Sequence, residues 1–165
     1  MDLDSCLIKY KYLFFLFFLN LFSTYVYSNP IIQPSISIII DDLGYKLKED
    51  VRALSLPGPV AYAILPHAPH TKKMVSIASK NGKEILLHQP MQAYENNKLL
   101  GPGALTLNMT HKEFVKTLEK NMSSVSNIIG VNNHMGSLLT RHPGHMQWLM
   151  NVIKENEYIY VDSLT

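Results

Sequence analysis

Residues 35–42 read Ser35-Ile36-Ser37-Ile38-Ile39-Ile40-Asp41-Asp42, an apolar, β-branched run closed by two carboxylates. A short continuous run of this kind fits a strand covered on both faces, as in a parallel sheet. The same alternation repeats outward from it. Lys46–Leu56 places Leu47, Val51 and Leu54 at helical spacing and stops at Pro57-Gly58. Val60–Leu65 is a second apolar strand, closed by Pro66-His67. Thr71–Ser79 carries Met74, Ile77 and Ala78 on one helical face and ends at Asn81-Gly82. Glu84–Leu87 is a third strand, ending at His88.

A long stretch without periodicity follows, from Gln89 to Asn108, containing Gly101-Pro102-Gly103. Stretches of this length inside a domain are usually functional or mobile. Thr110 and Glu113 have capping-box spacing and open a helix striped by Phe114, Val115, Leu118 and Met122. Ile128–Val131 is a fourth strand, ending at Asn132-Asn133-His134. Pro143 suits a helix start, with Trp148, Leu149 and Val152 facing a core. Tyr158–Val161 is a fifth strand, ending at Asp162. Strands that alternate with helices predict an α/β fold with a parallel sheet and right-handed crossovers. Five strands fit either an open doubly wound sheet or an unfinished barrel.

The chain has 165 residues with 15 basic and 13 acidic side chains, a net charge of +2 that gives no footprint for a nucleic-acid partner. Cys6 is the single cysteine, so no disulfide forms within the chain and no cysteine-rich zinc site is possible. Any metal must be held by His, Asp or Glu. Leu13–Phe22 is an apolar run preceded by Lys9 and Lys11 and followed by Val26-Tyr27-Ser28. We read residues 1–28 as an export signal or an uncleaved N-terminal anchor, residues 29–34 as a linker, and 35–165 as the exported domain. Contact with a membrane is expected only through the first of these segments.

In α/β folds the working residues lie at the carboxyl ends of the strands. Here those ends offer Asp41-Asp42, His67, His88, Asn132-Asn133-His134 and Asp162. Asp and His side chains from adjacent strand ends compose a mixed nitrogen and oxygen metal site with an open position for water. Each also has a plainer structural reading. An aspartate caps the next helix, His88 sits in a loop, Asn132–Ser137 forms a turn that uses positive φ, and Asp162 starts a turn. His67 with His70, and His142 with His145, flank prolines at helix starts, and His111 lies in a first helical turn. None of these five is counted as a metal ligand.

Five segments, taken in order, resemble the divergent polysaccharide deacetylase family. They are Ile39-Ile40-Asp41-Asp42-Leu43-Gly44, Leu87-His88-Gln89-Pro90-Met91, Gly101-Pro102-Gly103-Ala104, Gly130-Val131-Asn132-Asn133-His134-Met135-Gly136-Ser137 and Val161-Asp162-Ser163. The resemblance runs from Ser35 to Thr165. It implies a distorted (β/α) barrel related to the wider carbohydrate deacetylases, here truncated after about five strands. It also implies a hydrolase of the periplasm or cell envelope acting on acetylated polysaccharide or glycan, with a divalent metal ion, zinc by expectation. By the same resemblance Asp41 is the base, and Asp42, His88 and His134 are the metal ligands. Asn132, Asn133 and Asp162 lie one layer further out. The wider superfamily takes its histidine pair from a His-x-x-x-His segment, which this chain lacks, and Gln92-Ala93 stand where the family shows an acidic residue and proline. These departures, with the early end after the fifth strand, leave a non-catalytic glycan-binding or partner-binding envelope protein, or an inactive remnant, as the alternative. An open sheet binding a small ligand is a third reading, and it has no phosphate loop.

Overall fold

The computed structural model describes residues 35–164. The expected export segment and linker lie outside these residues. Five strands form one sheet in chain order: β1 (Ile38–Leu43), β2 (Val60–Ile64), β3 (Ile85–Met91), β4 (Ile128–Met135) and β5 (Ile159–Val161). Every neighbouring pair is parallel. Between them run α1 (Leu47–Leu54), α2 (Thr71–Lys80), α3 (His111–Ser124) and α4 (Pro143–Glu155). Among the described residues the strand order never reverses, so no doubly wound switch point occurs there and the winding is of the barrel type. The sheet is open, with β1 and β5 as its edges among the described residues. No helix among them is long and apolar enough to cross a membrane.

Side chains alternate between the two sheet faces. Tyr62, Ile64, Ile85, Leu87, Met91 and Val131 pack with Met74, Phe114, Leu118, Leu149 and Val152 of the helices in the main core. The opposite face holds a smaller cluster of Ala61, Ala63 and Leu86, with Ile39 and Val161 against it. This alternation places the site. His88 lies two residues beyond Leu86, and Asn132 and His134 alternate with Val131, so all three point to the second face. The ladder aligns His88 with Asn132 and Pro90 with His134. Gly130 keeps β4 and β5 close, since a Cβ there would lie 2.6 Å from the Ile159 carbonyl oxygen.

Three strands are bounded differently from the sequence expectation. β1 starts at Ile38 and includes Asp41 and Asp42, while β3 continues through Met91 and β4 through Met135. The polar residues that had marked strand ends are inside the strands, because their side chains find hydrogen-bond partners there. Pro90 has no N–H to give, but its carbonyl accepts from Leu105 N at 2.9 Å. Gln92 then pins the long stretch. Its N–H donates to Leu105 O at 2.9 Å, and its Oε1 accepts from Leu107 N at 2.7 Å.

The helix starts follow the expected chemistry. Thr110 and Glu113 form the reciprocal capping box, with Thr110 N donating to Glu113 Oε2 at 2.8 Å. His142 caps α4, its Nδ1 accepting from His145 N at 3.4 Å.

Candidate metal centre

Asp42, His88 and His134 are remote in sequence and meet at one point. Asp42 Oδ1 lies 3.1 Å from His88 Nε2 and 2.9 Å from His134 Nδ1, and the two ring nitrogens are 3.2 Å apart. Among the described residues this is the only group of three or more His, Cys, Asp or Glu side chains whose donor atoms converge. β3 and β4 place the two histidines by register. Asp42 is brought in by a break in β1, where the register shifts between Ile40 and Leu43 and Asp42 takes φ 65°. Aspartate tolerates this left-handed conformation better than most residues.

Asn132 decides the tautomer of His88. Its amide NH2 donates to Asp41 Oδ1 at 3.0 Å. A carboxylate only accepts, so the Asn132 oxygen must face His88. His88 Nδ1–H therefore donates to Asn132 Oδ1 at 2.9 Å. In the neutral ring this leaves the lone pair on Nε2, facing Asp42 and His134. Three lone-pair atoms crowded this closely repel unless a cation or a proton lies among them. Donors bound to zinc at about 2.0–2.1 Å in a tetrahedron stand about 3.3 Å apart. The observed triangle, 2.9–3.2 Å on its sides, fits such an ion.

The charges agree. With a proton rather than an ion between them, hydrogen bonding from His134 and then His88 holds the Asp42 carboxyl well below the usual carboxylate range, against the opposing effect of burial. Asp42 is therefore anionic. It is also the open side of the cluster, with its side chain 65% exposed against 3% for His88 and 18% for His134.

The remaining expected residues divide. Asp41 is tied to the centre through Asn132. The Asn133 side chain hydrogen-bonds none of the three cluster side chains. Its amide instead donates to Met135 O at 2.7 Å and fixes the backbone after His134, where Met135 has φ 57°. Asp162 is not brought into the cluster, since its Oδ1 accepts from Leu164 N at 3.0 Å. Its neighbour Ser163 takes that place, donating its N–H to Asn133 Oδ1 at 2.8 Å and accepting from Asn132 through Oγ at 3.4 Å. Tyr160 O–H also donates to Asn133 Oδ1, at 3.3 Å, and burial followed by the charge of Asp162 keeps its hydroxyl protonated far into the alkaline range. Ser163 carries a sequence signal only as the end of the Val161-Asp162-Ser163 segment, and Tyr160 carries none. Of the five histidines set aside, His142 and His145 pair at α4, His111 packs edge-on against Trp148, His70 precedes α2, and His67 turns to Asn121.

The fold and this three-residue cluster define an α/β protein with a carboxylate–dihistidine candidate metal site on a barrel-type sheet. The family is equally clear, for residues 38–165 match the model of the divergent polysaccharide deacetylases, and the chain belongs to that family. An uncharacterized protein of Haemophilus influenzae is 36% identical over 145 residues, covering 87% of this chain and 51% of its own length. The uncharacterized protein YibQ of Escherichia coli is 31% identical over 138 residues, covering 84% of this chain and 43% of its own. The chain thus spans about half the length of the curated relatives it matches. A crystal structure of an uncharacterized protein from Agrobacterium tumefaciens shares the fold with a TM-score of 0.71 at 22% identity, covering 76% of this chain and 52% of that one.

Proposed function

We propose that this chain carries the metal-binding centre of a hydrolase that removes acetyl groups from an envelope polysaccharide. The observation that supports this most is the triangle of Asp42 Oδ1, His88 Nε2 and His134 Nδ1, with Asp41 linked to it through one amide. These three atoms would hold a divalent ion, zinc by the chemistry of the donors. When bound, such an ion supplies Lewis-acid polarisation of an acetyl carbonyl and acidifies water.

The chain's own residues do the rest. Asn132 holds His88 in the tautomer that exposes the Nε2 lone pair. Asp41 accepts the proton of the attacking water, and the Asn132 N–H keeps its carboxylate oriented while it does so. Asn133 and Ser163 hold the backbone on which His134 stands. The apolar run Leu13–Phe22 supports an exported, envelope-located protein.

The test is acetate release from an N-acetylated oligosaccharide by the zinc-loaded protein, beside Asp41→Asn and His134→Ala variants. Release that both variants abolish is expected. Glycan binding without any acetate release would replace hydrolysis with a non-catalytic role.

A further inference from the structure

The Gly101-Pro102-Gly103-Ala104 turn has no part in the metal centre, yet it is held with care. Gly103 has φ 81°, and a Cβ there would run into the Asn121 side chain, so only glycine lets this turn close on α3. Asn121 is fully buried. Its amide donates to Gln89 Oε1 at 2.8 Å and to Gly103 O at 2.7 Å. With both amide hydrogens used, Asn121 Oδ1 can only accept, so His67 Nε2–H donates to it at 3.0 Å. His67 is exposed and has φ 55°. A strained residue is thus clamped in place at the mouth of a cleft of about 550 Å³.

We propose that this cleft is a second ligand site, taking a sugar that bears an anionic oxygen group, carboxylate or phosphate. Its volume falls in the usual range for small-molecule sites. The charged and titratable side chains lining it are Lys120 and His67, and no carboxylate lines it. Thr117 adds a hydroxyl, while Pro102 and Met109 give an apolar wall for a ring. An anion entering there meets the Lys120 ammonium and the Thr117 hydroxyl and no opposing carboxylate. The cleft is distinct from the metal centre, because Gln89 and His88 are consecutive in β3 and point to opposite faces of the sheet. The proposal therefore stands whether or not the chain hydrolyses acetyl groups.

The full chain is titrated calorimetrically with a glucuronic-acid oligosaccharide and with its neutral glucose counterpart. The acidic ligand is expected to bind about tenfold tighter, a typical effect of one charge-assisted hydrogen bond. Lys120→Gln, at an exposed position, and His67→Asn, which tolerates the same backbone angle, should each remove most of that difference. His88→Ala should leave it intact. Displacement of the acidic ligand by inorganic phosphate would assign recognition to the anion alone, and failure to displace it would assign recognition to the sugar carboxylate. Equal affinity for the two oligosaccharides overturns the proposal, as does binding lost in His88→Ala and kept in Lys120→Gln.

Discussion

His88 Nδ1 and Asn132 Oδ1 lie 2.9 Å apart, and the other end of the same amide holds Asp41. One side chain therefore orients both a proposed ligand and the proposed base. Asn132→Ala should weaken zinc affinity by about 10–100-fold, the usual loss when a partner behind a ligand is removed. Competition with a chromogenic chelator measures it. Affinity equal to that of the unaltered protein would show that His88 needs no orientation.

His88→Ala and His134→Ala should each abolish stoichiometric zinc, because two remaining donors do not hold a structural or catalytic ion. His70→Ala should retain it, since that residue is no part of the converging cluster. Metal content after dialysis, by atomic emission, separates these outcomes, and full occupancy in His134→Ala removes that ligand from the scheme.

Gly130→Ala should destabilise the protein by about 1–3 kcal/mol, the range for overpacking a close contact. The new methyl would press on the backbone of Ile159, which a strand cannot move aside cheaply. Thermal unfolding should show a midpoint several degrees lower. An unchanged midpoint would mean that β5 is free to shift.

His145 gives a pH dependence. It is buried against Phe114 and Trp148, with its Nδ1 3.0 Å from His142 Nδ1. Burial first, then the proximity of His142, lowers its pKa below the ordinary 6.5, while hydrogen bonding to the backbone of Leu107 and Met109 acts in the opposite direction. The folded state thus takes up the proton less readily than the unfolded one. Its stabilisation is full above about pH 6.5 and is lost as pH falls through the lowered value. Unfolding midpoints between pH 7.5 and 5 should decline less steeply in His145→Phe, and parallel curves would exclude this residue as the cause.

The strands and helices were legible because apolar runs and helical stripes alternate from Ile38 to Val161. The convergence of Asp42, His88 and His134 was legible too, because parallel topology gathers strand ends and family resemblance marked which residues to follow. The strand limits were not. Asn132, Asn133 and Gln89 look like loop residues until their buried partners are known, and Pro90 looks like a terminator until Leu105 reaches its carbonyl. The partners beyond β5 were not legible either, since Asp162 accepts from Leu164 N while Ser163 reaches Asn133 and Asn132. The His67–Asn121 contact spans 54 residues and leaves no periodic trace.

The irregularity between Ile40 and Leu43 has a genetic consequence. In a regular strand, adjacent aspartates would point to opposite sides. Here the kink lets neighbouring codons, 41 and 42, supply side chains to one candidate centre. Deleting either codon would do more than remove a charge. It would erase the irregularity that brings both carboxylates to the same face, and one acid would be left to fill two places.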